Sequence, residues 1–218
     1  MSVKRELIEV CHKVYKNGFV SATDGNLSVR ITPNQVWITP SGKNKGELRE
    51  SDLIRITLEG EVLEGARNIS SENRLHLLAY KKRSDINAVV HCHPVYATAF
   101  ASAGNDQLNK PVFPEVVLTI GKIPLCSYGT PSTEELTNSI SPHIHYANAL
   151  LLQNHGAVTF GSSIKEAYYR MEKLEHTAKI LFAARRLGDI KELNEEELSK
   201  LYEAGEKNQM DIHNKNKF

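Results

Sequence analysis

The sequence predicts an α/β protein in which helices cover a mixed β-sheet. Two observations support this fold class: strand-like alternation is concentrated early in the chain, and segments with helical spacing of apolar residues are interspersed throughout. This mixture favours a mixed sheet over a strictly parallel, doubly wound array. With 218 residues, 40% of them hydrophobic, the chain can bury one sizeable core. We therefore expect a single domain over residues 1–218, with a disordered tail from about residue 210.

The first elements are predicted to be a helix and a hairpin. Apolar residues recur at helical spacing over residues 3–14, and Asn17-Gly18 ends that helix. The segments 27–31 and 36–38 alternate as strands around the turn Thr32-Pro33-Asn34. This pattern predicts a two-stranded antiparallel unit directly after the first helix.

The middle of the chain combines further strands with helices. A strand pair is predicted to flank Glu59-Gly60, and a helix is predicted over residues 71–83 with Ser70 or Ser71 as its cap. Another helix is predicted over residues 95–103. Residues 116–124 are rich in β-branched side chains, so we expect a strand there.

Helix starts dominate the last third of the chain. Ser132-Thr133-Glu134-Glu135 and Ser163-Ile164-Lys165-Glu166 both have the pattern of a capping box. The second opens the longest predicted helix, whose apolar stripe runs from Ile164 to Leu187 and ends at Gly188. A last short helix is predicted to begin at Glu195.

Composition excludes several classes of function. The 27 Lys and Arg residues nearly balance the 26 Asp and Glu residues, and no basic stripe is interleaved with aromatics, so we expect no nucleic-acid partner. No apolar run is long enough for a membrane span and no signal-peptide core opens the chain, which predicts a cytoplasmic protein with no membrane partner. Cys11, Cys92 and Cys126 are odd in number and lie in apolar stretches, which predicts buried free thiols. The expected partner is a small molecule.

Three histidines and one acid predict a metal site. Strand alternation places His91 and His93 on the same face of one extended segment. His155 follows a run of aliphatic residues, at a glycine turn, and Glu72 lies upstream. Three imidazoles near a carboxylate suit a zinc-like ion that keeps a coordination position open for catalysis.

Each residue of this set also has a structural interpretation. A lone histidine is usually a satisfied core or surface residue, and Glu72 on its own reads as a first-turn acid that favours the helix dipole. A second His-x-His segment, His143-Ile144-His145, has no acid close in sequence and is interpreted as an exposed helix end. His76 shares a helical face with Glu72, and we expect it to pack in the core or behind the ligands.

Motif order extends this interpretation to a family. Five segments succeed one another along the chain: Gly25-Asn26-Leu27-Ser28, Thr39-Pro40-Ser41-Gly42, Ser70-Ser71-Glu72, His91-Cys92-His93-Pro94 and Asn154-His155-Gly156. In this order and spacing, over about residues 5–188, the chain resembles the class II aldolase/adducin family. Within that family it is most similar to the L-fuculose-1-phosphate aldolases.

The resemblance implies a fold, an assembly and a set of site residues. The fold is a three-layer α/β/α sandwich on a mixed, mostly antiparallel central sheet, and the assembly is a homotetramer with active sites shared between neighbouring subunits. The metal is Zn²⁺ or another divalent transition ion. The ligands implied are His91, His93, His155 and Glu72, with Glu72 also moving protons. The phosphate pocket implied consists of Asn26, Ser41, Gly42, Ser70 and Ser71.

The chain departs from the aldolase pattern in two places. Where the aldolases carry a tyrosine before Ile123-Pro124, this chain has Phe113-Pro114-Glu115, and no clear partner for their C-terminal tyrosine occurs near Asn208. Both tyrosines handle the aldehyde half of the substrate. Glu115 is therefore a candidate second catalytic acid/base supplied by a neighbouring subunit, with an ordinary surface charge as the alternative.

The function implied is a zinc-dependent aldolase. It would cleave a ketose 1-phosphate, L-fuculose 1-phosphate or a deoxypentulose relative, to dihydroxyacetone phosphate and an aldehyde. Cleavage beside a ketone leaves an enediolate, whose charge a metal ion stabilises. The same site chemistry serves sugar-phosphate 4-epimerases, dehydratases and decarboxylases. A non-catalytic, adducin-like interaction module is the alternative from another class.

Overall fold

A single sheet with helices on both faces makes up the computed structural model, which describes residues 2–208 and 216–218. The helices in these residues are α1 (Val3–Lys16), α2 (Asn73–Lys82), α3 (Val95–Ser102), α4 (Pro114–Thr119), α5 (Glu134–Ile140), α6 (Ile164–Ala184) and α7 (Glu195–Lys207). The strands are β1 (Asn26–Thr32), β2 (Gln35–Ile38), β3 (Ile54–Thr57), β4 (Val62–Glu64), β5 (Ala88–Cys92), β6 (Leu125–Cys126), β7 (Ala149–Leu152) and β8 (Gly156–Gly161).

The sheet is mixed and mostly antiparallel, as expected. Its strand order is β4-β3-β2-β1-β5-β8-β7-β6, and the pair β6–β7 is parallel while the other neighbouring pairs are antiparallel. Strands β1 and β5 are adjacent although about 60 residues separate them in the chain, and Asn26 lies directly opposite His91. The middle of the sheet therefore brings together two of the motifs.

Two hydrophobic cores lie on opposite faces of the sheet. Helices α1, α3 and α6 cover one face, and α2 and α5 cover the other. Strand β5 shows the division, because Val90 and Cys92 belong to the first core, while Val89 belongs to the second. His91 shares the face of Val89, so it points towards α2. The three-layer sandwich is confirmed.

Most predicted boundaries are confirmed, including α1 with its stop at Asn17, the hairpin, and the strand pair around Gly60. The two predicted capping boxes do start helices. However, the acid reaches a different partner in each case: Glu166 accepts from the backbone N–H and hydroxyl of Ser162, and Glu135 accepts from those of Thr130. The cap of α5 is Thr133, one residue later than the motif indicates.

The predicted strand over residues 116–124 is wrong. Residues 114–119 form α4, and the strand begins only at Leu125. Pro114 at the first helical position has a suitable fixed φ and needs no donor. At the other end, Arg170 of α6 donates to the Thr119 carbonyl at 3.2 Å, and Lys173 donates to the Thr119 hydroxyl at 3.0 Å. Contacts with a distant helix thus override the β-propensity of the valines.

Three smaller expectations need correction. Helix α6 ends at Ala184, and Leu187, placed on its apolar stripe, is 90% exposed. The cap of α2 is Glu72 instead of Ser70 or Ser71. His143-Ile144-His145 lies in turns after α5, with Ile144 fully buried and His145 exposed.

The tail expected from about residue 210 falls mostly on residues 209–215, which lie outside the described residues. Beyond them, Asn216 is buried and its amide donates to the Ile120 carbonyl at 2.6 Å. All three cysteines are buried free thiols, as expected. Among the described residues, no helix has both the length and the apolarity that crossing a membrane requires.

Candidate metal centre

Strand β5 delivers two histidines to one point. His91 is the penultimate residue of the strand and is fully buried, while His93 lies one residue beyond the strand end. Nδ1 of His91 is 2.9 Å from the Ala157 carbonyl, which can only accept, so this nitrogen carries the ring proton. In the neutral form of the ring Nε2 of His91 has the lone pair, and this atom lies 3.3 Å from Nε2 of His93.

A tight turn supplies the third histidine. His155 lies between β7 and β8, and the preceding Asn154 has φ 56°, a left-handed conformation that asparagine tolerates better than most residues. A Cβ on the following Gly156 would lie 2.6 Å from Cδ2 of His93. Glycine is thus required for the close approach of the turn to the ring of His93.

Glu72 closes the group from the start of α2. Its Oε2 is 3.2 Å from Nε2 of His91, and its Oε1 is 3.1 Å from Nε2 of His155. Burial alone would raise the pKa of Glu72, but the adjacent His91 and His155 hold this pKa well below its usual range. Burial and the neighbouring imidazoles lower the pKa of His93 to about 3, so its ring is neutral at physiological pH.

These residues fit a tetrahedral metal ion. One ligand nitrogen from each of His91, His93 and His155 lies within 4.8 Å of the others. Metal–nitrogen bonds of zinc-like length place tetrahedral ligands about 3.3 Å apart, and the separations of 3.3, 3.2 and 3.1 Å in this group are close to that value. Oε1 of Glu72 is buried and has no well-directed hydrogen bond. A bound cation beside it would offset its charge.

The same group borders a cavity of about 330 Å³. Glu72, His93 and His155 line it, and the residues expected to bind phosphate line it too: Asn26, Ser41, Gly42, Ser70 and Ser71. The Ser41 backbone N–H donates to the Asn68 carbonyl at 2.9 Å, which holds the two serine loops side by side. Metal-type ligands and phosphate-type donors therefore share one cavity.

Strained backbone is concentrated around this cavity. Among the described residues other than glycine, three have positive φ: Ala22, Ser132 and Asn154. Ser132 lines the cavity, Asn154 precedes His155, and Ala22 precedes the lining residues Thr23 and Asp24. Strain of this kind persists where the surroundings enforce a geometry, as functional sites do.

Other residues fall differently from expectation. Glu115 is exposed on α4 and does not line the cavity of its own chain. Asp24, which sequence reasoning missed, lines the cavity with Oδ2 3.9 Å from Nδ1 of His93. The sequence signal that could have identified Asp24 is its position two residues before Asn26, one of the predicted site residues. Asn26 itself is buried and contacts Glu72 and His76.

Comparison with known proteins agrees with this geometry. The sequence profile of the class II aldolase and adducin N-terminal domain matches residues 5–182. An L-fuculose phosphate aldolase of Methanococcus maripaludis (strain C5) is 35% identical, over 84% of this chain and 97% of the relative. A 3-oxo-tetronate 4-phosphate decarboxylase of Haemophilus influenzae is 34% identical, over 84% of this chain and 88% of the relative.

The fold has a close counterpart among solved structures. An L-fuculose 1-phosphate aldolase superposes with a TM-score of 0.82 and 31% identity, covering 95% of this chain and 96% of the other. The profile match over residues 5–182 includes every residue that lines the cavity. The chain therefore belongs to the class II aldolase and adducin N-terminal domain family, whose aldolases are metal-dependent lyases that act on phosphorylated sugars.

Proposed function

We propose that this chain is a zinc-dependent aldolase that cleaves a ketose 1-phosphate into dihydroxyacetone phosphate and an aldehyde. L-fuculose 1-phosphate, or a deoxypentulose 1-phosphate, is the proposed substrate. The observation that carries the proposal is one cavity lined both by the His93–His155–Glu72 group and by paired serine loops. The first suits cleavage beside a ketone, and the second suits a phosphate.

The phosphate would be held without a salt bridge. Among the described residues, those lining the cavity include neither lysine nor arginine. The donors that we assign to the phosphate are the amide of Asn26, the backbone N–H of Gly42 and the hydroxyl groups of Ser41, Ser70 and Ser71, all of which line the cavity. Such donors, close to the start of α2, recognise phosphate through hydrogen bonds and the helix dipole.

His91, His93, His155 and Glu72 would hold the metal ion. Three neutral imidazoles and a carboxylate suit zinc, and the ion would supply positive charge that stabilises the negative charge developing on the substrate oxygens. In the family relatives this role is general, whereas the identity of the metal in this chain is our proposal.

Proton transfers complete the proposed reaction. The hydroxyl on the carbon that becomes the aldehyde loses its proton, the carbon–carbon bond breaks, and its electron pair stays with the ketone fragment. Glu72, which is a carboxylate at rest, takes up a proton from water and passes it to the carbon of that fragment. We assign the hydroxyl proton to Glu115 of a neighbouring subunit in a homotetramer, because Glu115 is exposed and lies outside its own cavity. Exchange with water returns both acids to their starting states.

A decarboxylase is the second candidate, since the Haemophilus influenzae relative is a 3-oxo-tetronate 4-phosphate decarboxylase of nearly equal identity. Decarboxylation also leaves an electron pair next to a carbonyl, so the same site would serve. Epimerisation and dehydration of sugar phosphates draw on the same chemistry.

Product analysis separates these reactions. Zinc-loaded protein is incubated with L-fuculose 1-phosphate, a deoxypentulose 1-phosphate, a 3-oxo-tetronate 4-phosphate and a pentulose 5-phosphate, and products are identified by NMR. Dihydroxyacetone phosphate with an aldehyde supports the aldolase. Release of carbon dioxide from the oxo acid would identify a decarboxylase instead of an aldolase. Inversion of a stereocentre in the pentulose 5-phosphate would identify an epimerase. No turnover of any compound by metal-loaded protein favours a non-catalytic, adducin-like module.

A further inference from the structure

A buried row of polar residues runs behind the metal centre. Glu72, His76 and Tyr80 are four residues apart and share one face of α2. Asn26 and Ser28 lie two residues apart on one face of β1, and their side chains contact His76 of that helix. His76 and Ser28 are fully buried, and Tyr80 and Asn26 are nearly so. The helical spacing of α2 and the alternation of β1 thus bring Glu72, His76, Tyr80, Asn26 and Ser28 together. We call this row of polar residues inside an otherwise apolar core the seam.

The seam is a continuous chain of hydrogen bonds. Tyr80 and Ser28 are joined through their hydroxyl oxygens at 2.7 Å, and Ser28 Oγ is 2.7 Å from Nδ1 of His76. Nε2 of His76 is 2.5 Å from Oδ1 of Asn26. Nδ2 of Asn26 donates to Oε2 of Glu72 at 2.8 Å.

Chemistry sets the direction of every bond in this chain. The Asn26 oxygen can only accept, so Nε2 of His76 carries the proton. In the neutral ring Nδ1 then accepts from the Ser28 hydroxyl, which leaves the Ser28 oxygen to accept from Tyr80. Each donor faces towards Glu72. Bonds aligned in this way in a buried chain polarise and strengthen one another.

The alignment fixes the amide of Asn26. If the amide were turned over, its oxygen would face the Glu72 carboxylate and its NH₂ would face the N–H of His76. The contact with Glu72 would be repulsive in any case, and the contact with His76 would be repulsive unless the ring proton moved to Nδ1. The Glu72 carboxylate and the Nε2-protonated ring of His76 therefore favour the same orientation of the Asn26 amide. As a result, Oε2 of Glu72 is anchored, while Oε1 has no aligned donor.

We propose that Tyr80, Ser28, His76 and Asn26 form a positioning relay that holds Glu72 in one orientation, with Oε2 anchored and Oε1 as the oxygen that exchanges the proton. The inference rests on the proposed role of Glu72. It also gives Asn26 a task besides phosphate binding. Groups behind metal ligands commonly change metal affinity or activity by about 10- to 100-fold when they are removed.

Paired substitutions of His76 test the relay. The nitrogen of a glutamine side chain reaches about as far as Nε2 of histidine, whereas that of asparagine reaches only as far as Nδ1. In His76→Asn we expect Zn²⁺ affinity, measured against a competing chelator, and kcat each to fall about 10- to 100-fold. We expect KM for the phosphorylated ketose to change less than about threefold, because the phosphate donors stay in place. In His76→Gln we expect recovery to within about fivefold of wild type.

The relay fails as an explanation if the two amide variants, both folded, are equally impaired or both resemble wild type. A loss that falls on KM instead of kcat also contradicts it. Should either variant fail to fold, Ser28→Ala and Tyr80→Phe provide a second test, because each removes one hydroxyl of the relay. Ser28→Ala is expected to lower kcat more than Tyr80→Phe, since the Ser28 hydroxyl contacts His76 directly. Wild-type kcat in Ser28→Ala would contradict the relay.

Nitrogen-15 NMR of histidine-labelled, zinc-loaded protein gives a readout that needs no substrate. The proton of His76 is expected on Nε2, and the signal is assigned by its absence from His76→Gln. A proton on Nδ1 would overturn the inference. If the protein cleaves none of the ketose phosphates, the aldolase proposal fails, but the metal affinities and the tautomer still decide the relay.

Discussion

Oε2 of Glu72 and Nε2 of His91 lie 3.2 Å apart in a buried site, and each residue shifts the pKa of the other towards its charged form. Burial opposes a charge on His91, but Glu72 outweighs burial and raises the pKa of His91. Because Nδ1 of His91 donates to the Ala157 carbonyl, the positive charge next to Glu72 is supplied by a second ring proton on Nε2 or, in its place, by a bound cation. A metal ion can take the place of that proton, and the first two predictions follow from this exchange.

Glu72→Gln is expected to lower kcat about 100-fold or more, since removing a positioned acid or base costs roughly 10² to 10⁴ in rate. The amide keeps the shape of the carboxyl group, so the melting temperature should stay within a few degrees of wild type. Steady-state kinetics with the identified substrate measures the effect. Glu196→Gln, an exposed change on α7, is the matched control. Unchanged turnover in Glu72→Gln removes Glu72 from the mechanism.

His93→Ala should lose the metal ion. Wild-type protein is expected to purify with about one zinc ion per chain, because three imidazoles and a carboxylate or water complete a tetrahedral shell. Elemental analysis of dialysed protein measures the ratio of metal to chain. His145→Ala removes an exposed histidine of the second His-x-His segment and should keep the full metal content. Equal metal in both variants means that the ligand assignment is wrong.

The double variant Ser70→Ala/Ser71→Ala should raise KM for a phosphorylated ketose about 10-fold or more while kcat falls less. Two lost hydrogen bonds to a charged group correspond to such a factor or a larger one, and binding that is uniform along the reaction appears in KM. Ser132→Ala, in the same cavity but on another loop, is the control. Similar kinetics with phosphorylated and free ketose would contradict phosphate recognition here.

How far the sequence predicts the site depends on the range of the contacts. Alternation within one strand is local, and it correctly placed His91 and His93 near each other. The motifs implied that His155 and Glu72 join them, and the structure shows this grouping. The pairing of β1 with β5, which sets Asn26 opposite His91, is not contained in any local pattern. The helical spacing of Glu72, His76 and Tyr80 can be read from the sequence, but the residues of β1 that they contact cannot.

The fold errors have the same origin. Val116 and Val117 have strand propensity, but Arg170 and Lys173, more than 50 residues later in the chain, hold the end of α4. Leu187 continues the spacing of the α6 stripe, yet the helix ends at Ala184, before Leu187 could meet the core. Propensity and periodicity describe what a segment favours alone, and tertiary contacts decide in such cases.

Acid should destabilise the metal-free protein partly through His76. Burial, with a smaller effect of His91, lowers the pKa of His76 to about 3 from 6.5. In the unfolded chain His76 therefore binds a proton below about pH 6.5, whereas in the folded chain it does so only below about pH 3. Stability falls as the pH drops through this window, by up to about 1.4 kcal/mol per pH unit from this group.

Urea unfolding of metal-free protein at pH 7 and pH 5 measures this dependence. His76→Gln has no titrating ring at this position, so its free energy of unfolding should fall less between the two pH values. His145→Gln, which changes an exposed ring, should keep the wild-type dependence. An identical pH dependence in wild type and His76→Gln would show that His76 is not held neutral in the folded chain.

The last prediction concerns the group that replaces the missing tyrosine. Phe113-Pro114-Glu115 occupies the stretch where the aldolases carry a phenol, and Glu115 is exposed at the first turn of α4, outside its own cavity. If it accepts the hydroxyl proton of a substrate bound to a neighbouring subunit, each active site needs Glu72 from one chain and Glu115 from another.

Mixed oligomers of Glu72→Gln and Glu115→Gln chains, formed after reversible dissociation, should then regain part of the activity that each parent lacks. Recovery occurs because some interfaces combine an intact Glu72 with an intact Glu115, and re-associated single-variant oligomers are the control. Full aldolase activity of Glu115→Gln dismisses the shared site, as does absence of recovery in oligomers whose mixing has been verified. Tyr128, 53% exposed on the loop that also carries the cavity residue Ser132, would be the next side chain to test.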